Sequence, residues 1–214
     1  MPTHTEPPPT AGRLRAAWAA AHAPVPGAPR WGRAAALAVP LLVLPSGLWR
    51  IVTVVFPVQD DGRAHGSGDL PPWLPEEVYV VLLSVLTELL AFTAYGLIAT
   101  WGEVVPRWVP GLGGRRIPTP AAVVPAAAGA LLLTALSSAT AVADLAGVTL
   151  RGDPLPEGYP GQVPGWSAVV FYVSYAPLLL WGPCLGALTV AYWRRRRAPT
   201  AVPTLPAPTG AAGR

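Results

Sequence analysis

The chain contains four apolar stretches, each longer than the roughly 20 residues that a helix needs to cross the hydrocarbon core of a bilayer. They cover residues 34–56, 77–101, 120–147 and 166–193, and are called spans one to four in chain order. Polar segments rich in proline and glycine separate them. The sequence therefore predicts an all-α protein, an integral membrane four-helix bundle.

The composition agrees with lipid-exposed surface. Hydrophobic residues make up 52% of the chain and charged residues only 12%, whereas soluble domains carry about 25% charged residues. Because hydrocarbon does not solvate charge, a large lipid-facing surface explains both the apolar excess and the charge deficit.

Arginine placement predicts the orientation of the spans. Of the 15 basic residues, all arginine, 12 lie before span one, between spans two and three, or after span four, and only two lie in the other loops. The positive-inside rule then places both termini and the middle loop on the cytoplasmic side, N-in and C-in, of a membrane crossed several times. The 12 arginines are Arg13, Arg15, Arg30, Arg33, Arg107, Arg115, Arg116, Arg194, Arg195, Arg196, Arg197 and Arg214.

The two ends of the chain have the composition of tails. Residues 1–33 are rich in proline and alanine and are predicted to form a disordered cytoplasmic tail, and residues 194–214 form a basic and then Pro/Ala-rich cytoplasmic tail. The transmembrane domain is then 34–193. Two other interpretations of the first tail stay open: a short surface helix at "RLRAAWAAA", and a start codon assigned too early.

Glu88 lies in the middle of span two. A central acid costs about 2.5–3.5 kcal/mol on insertion, which the surrounding apolar residues outweigh. At about 1.5 Å per residue, Arg50 of span one lies about 7 Å shallower than Glu88, a gap that the two side chains can bridge. Asp144 of span three is shallower as well, and the three are predicted to form an intramembrane charge cluster. Three interpretations remain: an ion pair that fixes helix register, a proton or ion relay or substrate contact, and a neutral Glu88 bonded to a hydroxyl.

Small residues recur every four positions in spans three and four. Such residues let helix backbones approach closely, so they predict packing seams and place span three at the centre of the bundle. A dimer face at the glycine pair is the alternative. The helix-packing residues are Ala130, Thr134, Ser138, Gly182 and Gly186.

The middle loop, "TWGEVVPRWVPGLGGRRIPTP", is the most distinctive segment. Its prolines exclude a continuous helix, and its mixture of tryptophan and arginine is typical of the headgroup layer. The WG…PRW.P…GRR.P pattern resembles uncharacterised four-span membrane proteins of high-GC Gram-positive bacteria, a group that implies class and compartment but no activity. The predicted membrane-interface anchors are Trp101, Arg107, Trp108, Arg115, Arg116, Trp193, Arg194, Arg195, Arg196 and Arg197.

No residue pattern favours an enzyme. The sequence shows no nucleophile–base–acid set, no zinc-ligand spacing and no phosphate loop, so no catalytic residue, metal site or cofactor is predicted. The arginines are explained by anionic headgroups of the bilayer, and no nucleic-acid partner is expected. The predicted function is a non-enzymatic membrane scaffold or interaction component, with a second copy or another membrane protein as a partner. The alternative is a small transporter or channel subunit that uses Glu88 and Arg50. An intramembrane enzyme, in which distant residues converge, is the third interpretation.

Overall fold

The computed structural model describes residues 10–55, 73–106 and 109–198. In these ranges the chain is helical, and its β structure is limited to isolated bridges. The helices are α1 Thr10–His22, α2 Arg30–Val55, α3 Glu76–Thr93, α4 Thr119–Leu145, α5 Trp166–Tyr175 and α6 Leu178–Arg197.

Four helical segments are long and apolar enough to cross a membrane. They are Arg30–Val55, Glu76–Leu97, Thr119–Leu145 and Trp166–Arg197. The predicted all-α class and the four apolar spans are thus confirmed, and most boundaries fall within a few residues of those predicted. Large apolar side chains remain exposed along these segments, as expected of surface that lipid covers: Leu131 is 74% exposed and Leu145 85%.

Two spans are interrupted. The α-helix of span two ends at Thr93 and continues as a 3-10 helix over Ala94–Leu97, with a second 3-10 turn at Thr100–Gly102. Span four is divided into α5 and α6, with Ala176 and Pro177 between them. Proline has no backbone N–H and its ring crowds the preceding turn, which accounts for the break before α6.

The central position belongs to α2. It packs against α3, α5 and α6, whereas the extensive contacts of α4 are with α6. Val39 and Val43 of α2 and Leu188 and Tyr192 of α6 are essentially fully buried. The prediction that span three lies at the centre is therefore wrong. Its small residues serve a close contact with α6, while most of its leucines are exposed, namely Leu131, Leu132, Leu136 and Leu145.

The segment before span one differs from the predicted tail. Residues 10–22 form α1, and the following residues pack against the end of span two, where Val25 is only 4% exposed. Backbone hydrogen bonds, from Val25 N–H to the Ile98 carbonyl and from Thr100 N–H to the Ala23 carbonyl, hold them there. At the other terminus α6 continues through Arg197, so the helical domain includes the arginine run. Residues 1–9 and 199–214 lie outside the described residues.

Candidate functional site

The helices alternate in direction, which gives the molecule two chemically different ends. We call the arginine end the one where α2 and α4 begin and α3 and α6 finish. The aspartate end is the opposite one, where α2 and α4 finish and α3 and α5 begin.

A close backbone contact between two glycines organises the arginine end. A Cβ on Gly102 would overlap the carbonyl oxygen of Gly96, and a Cβ on Gly96 would collide with the indole ring of Trp101. Only glycine fits at both positions. The "YGLIATWG" segment therefore folds back on itself into a compact unit, residues 95–102, which we call the glycine knot.

A salt-bridge cluster ties α6 to this knot. Glu103 accepts a hydrogen bond from Arg195 Nη2 at 2.8 Å through Oε1, and its Oε2 lies 3.7 Å from Arg196 Nη1. The three side chains are only 14–21% exposed. One carboxylate thus faces two guanidinium groups at a position from which solvent is partly excluded. Ion pairs are stronger there than at an open surface.

The same arginines also bind backbone carbonyls. Arg195 donates to the Leu97 carbonyl at 3.1 Å, and Arg196 donates to the Ile117 carbonyl at 2.8 Å. The hydroxyl of buried Tyr192 donates to the Gly102 carbonyl at 3.2 Å. Glu103, Tyr192, Arg195 and Arg196, which we call the arginine clamp, therefore connect the end of α6 with the glycine knot and the start of α4.

The segment that joins α1 to α2 packs on the same knot. The Tyr95 hydroxyl donates to the His22 carbonyl at 3.1 Å, and the Thr100 hydroxyl donates to the Ala23 carbonyl at 3.0 Å. The His22 imidazole stacks on Trp18 with ring centroids 4.0 Å apart, and lies about 6 Å from the rings of Tyr95 and Trp101. Four parts of the chain thus meet at the arginine end: the α1–α2 segment, the glycine knot, the residues before α4 and the end of α6.

The predicted interface anchors separate into two groups. Arg194, Arg197, Arg115 and Arg116 are exposed, as an anchor requires, and Arg197 lies over the ring of the exposed Trp193 with 4.2 Å to its centroid. Arg195, Arg196 and Trp101 instead pack inward, in the clamp and the knot. Arg107 and Trp108 lie outside the described residues.

The predicted charge cluster is not joined by direct contacts. Glu88 is half-buried on the face of α3 that also carries buried Ser84 and Ala91, so this face of the helix turns inward. However, the ion pairs of the described chain are those of Glu103, and Arg50 Nε donates to the Ser46 carbonyl at 3.3 Å. Coupling between Arg50, Glu88 and Asp144 stays a prediction.

Asp144 has a different partner at the aspartate end. Its Oδ2 accepts a hydrogen bond from the Tyr172 hydroxyl of α5 at 2.9 Å. Burial and the nearby negative charge of Asp144 raise the pKa of Tyr159, in the loop before α5, to about 12. Asp144 therefore links the end of α4 to α5.

Small residues bring α4 and α6 close together, and Ser138 takes no part in this contact. A Cβ on Gly182 would overlap the Thr134 hydroxyl and crowd the Ala130 carbonyl, and a Cβ on Gly186 would lie 3.7 Å from that of Ala130. The Thr134 hydroxyl donates back to the Ala130 carbonyl at 2.7 Å. Ser138 is exposed and lines an open cavity of about 490 Å³ beside the loop after α4.

Sequence reasoning missed Glu103 and Tyr192. Glu103 is the one acid between spans two and three, and an isolated acid in a basic segment signals a countercharge. No comparable signal marks Tyr192. Within the described ranges, no three histidine, cysteine or acidic side chains are grouped as metal ligands would be.

Comparisons with known proteins add no relative. No protein-family profile, no curated protein and no solved structure matches the chain.

Proposed function

We propose that the chain is a multi-pass protein of the bacterial cytoplasmic membrane, a four-helix bundle with the arginine end in the cytoplasm. The observation that carries this proposal is the combination of four apolar helices with a segregated charge distribution. In the described chain the arginine end holds ten arginines and Glu103, whereas the aspartate end and its loops hold acidic residues with Arg50 and Arg151. Cytoplasmic retention of arginine accounts for this separation.

Within that class we propose a non-enzymatic scaffold or interaction component. The buried polar side chains of the described chain are Ser46, Ser84, Ser174 and Thr189. Ser46 and Thr189 donate to carbonyls of their own helices. Such isolated hydroxyls do not form the continuous polar line that a pathway through one copy needs. The larger polar network is the arginine clamp, which fixes the end of α6 against the glycine knot and the start of α4.

A transporter or channel subunit is the second candidate, and one observation favours it. Half-buried Glu88 shares its helix face with Ser84, whose Oγ is buried without a hydrogen-bond partner. An ionisable group next to an unsatisfied hydroxyl inside a span is typical of an ion-binding position.

Two assays test the proposal, one for membrane integration and one for transport. Resistance of the protein to extraction from bacterial membranes by alkaline carbonate tests membrane integration. Purified protein in liposomes with an internal pH dye and an imposed proton gradient then tests transport. The scaffold proposal predicts the same flux for wild type, Glu88→Gln and protein-free liposomes. Flux above the protein-free level that Glu88→Gln abolishes would overturn it in favour of the transporter.

A further inference from the structure

Residues 103–106 and 109–117, between spans two and three, are joined as a hairpin at the arginine end. Val105 N–H donates to the Arg115 carbonyl at 2.9 Å, and Ile117 N–H donates to the Glu103 carbonyl at 2.9 Å. Gly114 N–H donates to the Val105 carbonyl at 2.8 Å, with Gly114 at a φ of 81° that favours glycine. We call residues 103–106 and 109–117 the arginine hairpin.

The arginine hairpin presents an apolar side chain beside two free cations. Leu112 is 50% exposed, and Arg115 and Arg116 are both exposed. No described acid forms a salt bridge with either arginine, because the carboxylate of Glu103 faces Arg195 and Arg196. An exposed leucine next to unpaired guanidinium groups suits a surface that is apolar beneath a layer of negative charge.

The hairpin is fixed to the transmembrane helices at its base. Glu103 begins the hairpin and belongs to the arginine clamp, and the carbonyl of Ile117, at the end of the hairpin, accepts from Arg196. Exposed Arg194 and Arg197 lie on either side of these clamp residues in α6. The position of Leu112, Arg115 and Arg116 is therefore set by the fold, which removes much of the ordering cost of binding.

We propose that the arginine hairpin binds the anionic phospholipid headgroups of the cytoplasmic leaflet, with Leu112 in the interfacial layer and Arg115 and Arg116 on the phosphates. This inference rests on the proposed function, since it places the arginine end at the cytoplasmic face. Guanidinium groups bind phosphate through paired, charge-assisted hydrogen bonds. Basic residues near an anionic leaflet each strengthen binding about fivefold.

The loop after α4 provides a matched comparison. Leu150 there is 54% exposed, close to the value for Leu112, and the loop is also closed by backbone hydrogen bonds. Its single cation, Arg151, is accompanied by exposed Asp153 and Glu157. This loop has the apolar side chain without the excess positive charge, so it is not expected to respond to anionic lipid.

The experiment uses an environment-sensitive fluorophore on a single cysteine in the full-length chain. Cys184→Ala removes the one natural cysteine, and Leu112→Cys or Leu150→Cys introduces the labelling site. Each labelled protein is placed in nanodiscs of phosphatidylcholine with an increasing fraction of phosphatidylglycerol. Emission maximum and quenching by lipids with a nitroxide near the headgroup are recorded, first at low salt and then at high salt. Arg115→Gln combined with Arg116→Gln is tested in the Leu112→Cys background.

The expected result is a blue shift and stronger quenching at position 112 that increase with phosphatidylglycerol, decrease with salt, and require a phosphatidylglycerol fraction at least tenfold higher without the two arginines. Position 150 stays unchanged. A label at 112 that remains in water in all lipids overturns the inference, as does one that enters phosphatidylcholine equally well. Arginine-dependent cross-linking to an acidic protein without any lipid response also overturns it.

Carbonate extraction of the same variants separates this inference from the proposed function. If the protein resists extraction and the label at 112 ignores lipid charge, only the hairpin inference fails. If alkaline carbonate extracts the protein, the proposed membrane integration fails as well.

Discussion

The two ends of the molecule are built by different means. At the arginine end, side chains far apart in sequence are joined: Arg195 binds the Leu97 carbonyl and Glu103, and Tyr192 binds the Gly102 carbonyl. At the aspartate end, the loop after α4 closes mainly through local backbone hydrogen bonds, and the Tyr172–Asp144 bond joins neighbouring helices. The arginine end therefore holds the fold together, whereas the loops of the aspartate end can change at lower cost to stability.

The largest expected effect is at the glycine knot. Gly102→Ala places a methyl group against the Gly96 carbonyl, and backbone cannot move aside as a flexible side chain can. We expect a loss of at least about 3 kcal/mol in the free energy of unfolding, measured by thermal unfolding in detergent. At the aspartate end, the methyl group of Gly152→Ala meets open space, so the strain of an alanine at a φ of 88° is the only cost. We expect a loss of about 1–2 kcal/mol there. Equal losses at the two glycines would mean that the two ends tolerate an added methyl group equally well, contrary to this expectation.

The next effect concerns the arginine clamp. Glu103→Gln removes the countercharge of Arg195 and Arg196 while keeping the shape of the side chain. Because these groups are mostly buried, we expect a loss of about 2 kcal/mol. Glu157→Gln, an exposed change at the aspartate end, should shift stability by less than about 0.5 kcal/mol. Thermal unfolding of both variants at low and high salt measures these losses. A Glu103→Gln variant as stable as wild type would show that the arginine clamp does not stabilise the fold.

A smaller and pH-dependent effect is expected at the aspartate end. The folded pKa of Tyr159 is raised to about 12 from the ordinary tyrosine value of 10.0, so folding favours its neutral form. Its contribution to stability is present below pH 10 and is lost as the pH rises from about 10 to about 12.

Ultraviolet titration of tyrosinate absorbance measures this pKa as the difference between wild type and Tyr159→Phe. Asp144→Asn should lower the Tyr159 pKa, because the nearby negative charge disappears. An unchanged pKa in Asp144→Asn would mean that burial alone sets it.

The smallest effect is expected between the two ends. Arg50 and Glu88 form no salt bridge in the described chain, so Arg50→Gln and Glu88→Gln should change stability additively within about 0.5 kcal/mol. A double-mutant cycle by thermal unfolding measures the coupling. A coupling above about 1 kcal/mol would restore the structural ion pair as the interpretation of Glu88.

The four spans could be predicted from sequence because hydrophobic length alone specifies them. Span boundaries followed from the apolar runs, whereas the four-residue spacing named Ala130 and Gly182 as packing residues without pairing them. The glycine knot could not be predicted, because Gly96 and Gly102 meet only after α3 ends at Thr93. Likewise, the arginines of the "WRRRR" run look equivalent in sequence, and helix rotation decides that Arg195 and Arg196 face inward.

The proposed placement of the two ends on opposite sides of the membrane is tested most directly by single-cysteine accessibility. Leu112→Cys and Leu150→Cys, each in the Cys184→Ala background, are expressed in a bacterial host and treated in spheroplasts with a membrane-impermeant maleimide. We expect labelling of position 150 in intact spheroplasts, and of position 112 only after the membrane is permeabilised. Labelling of both positions, or of 112 alone, in intact spheroplasts would contradict it.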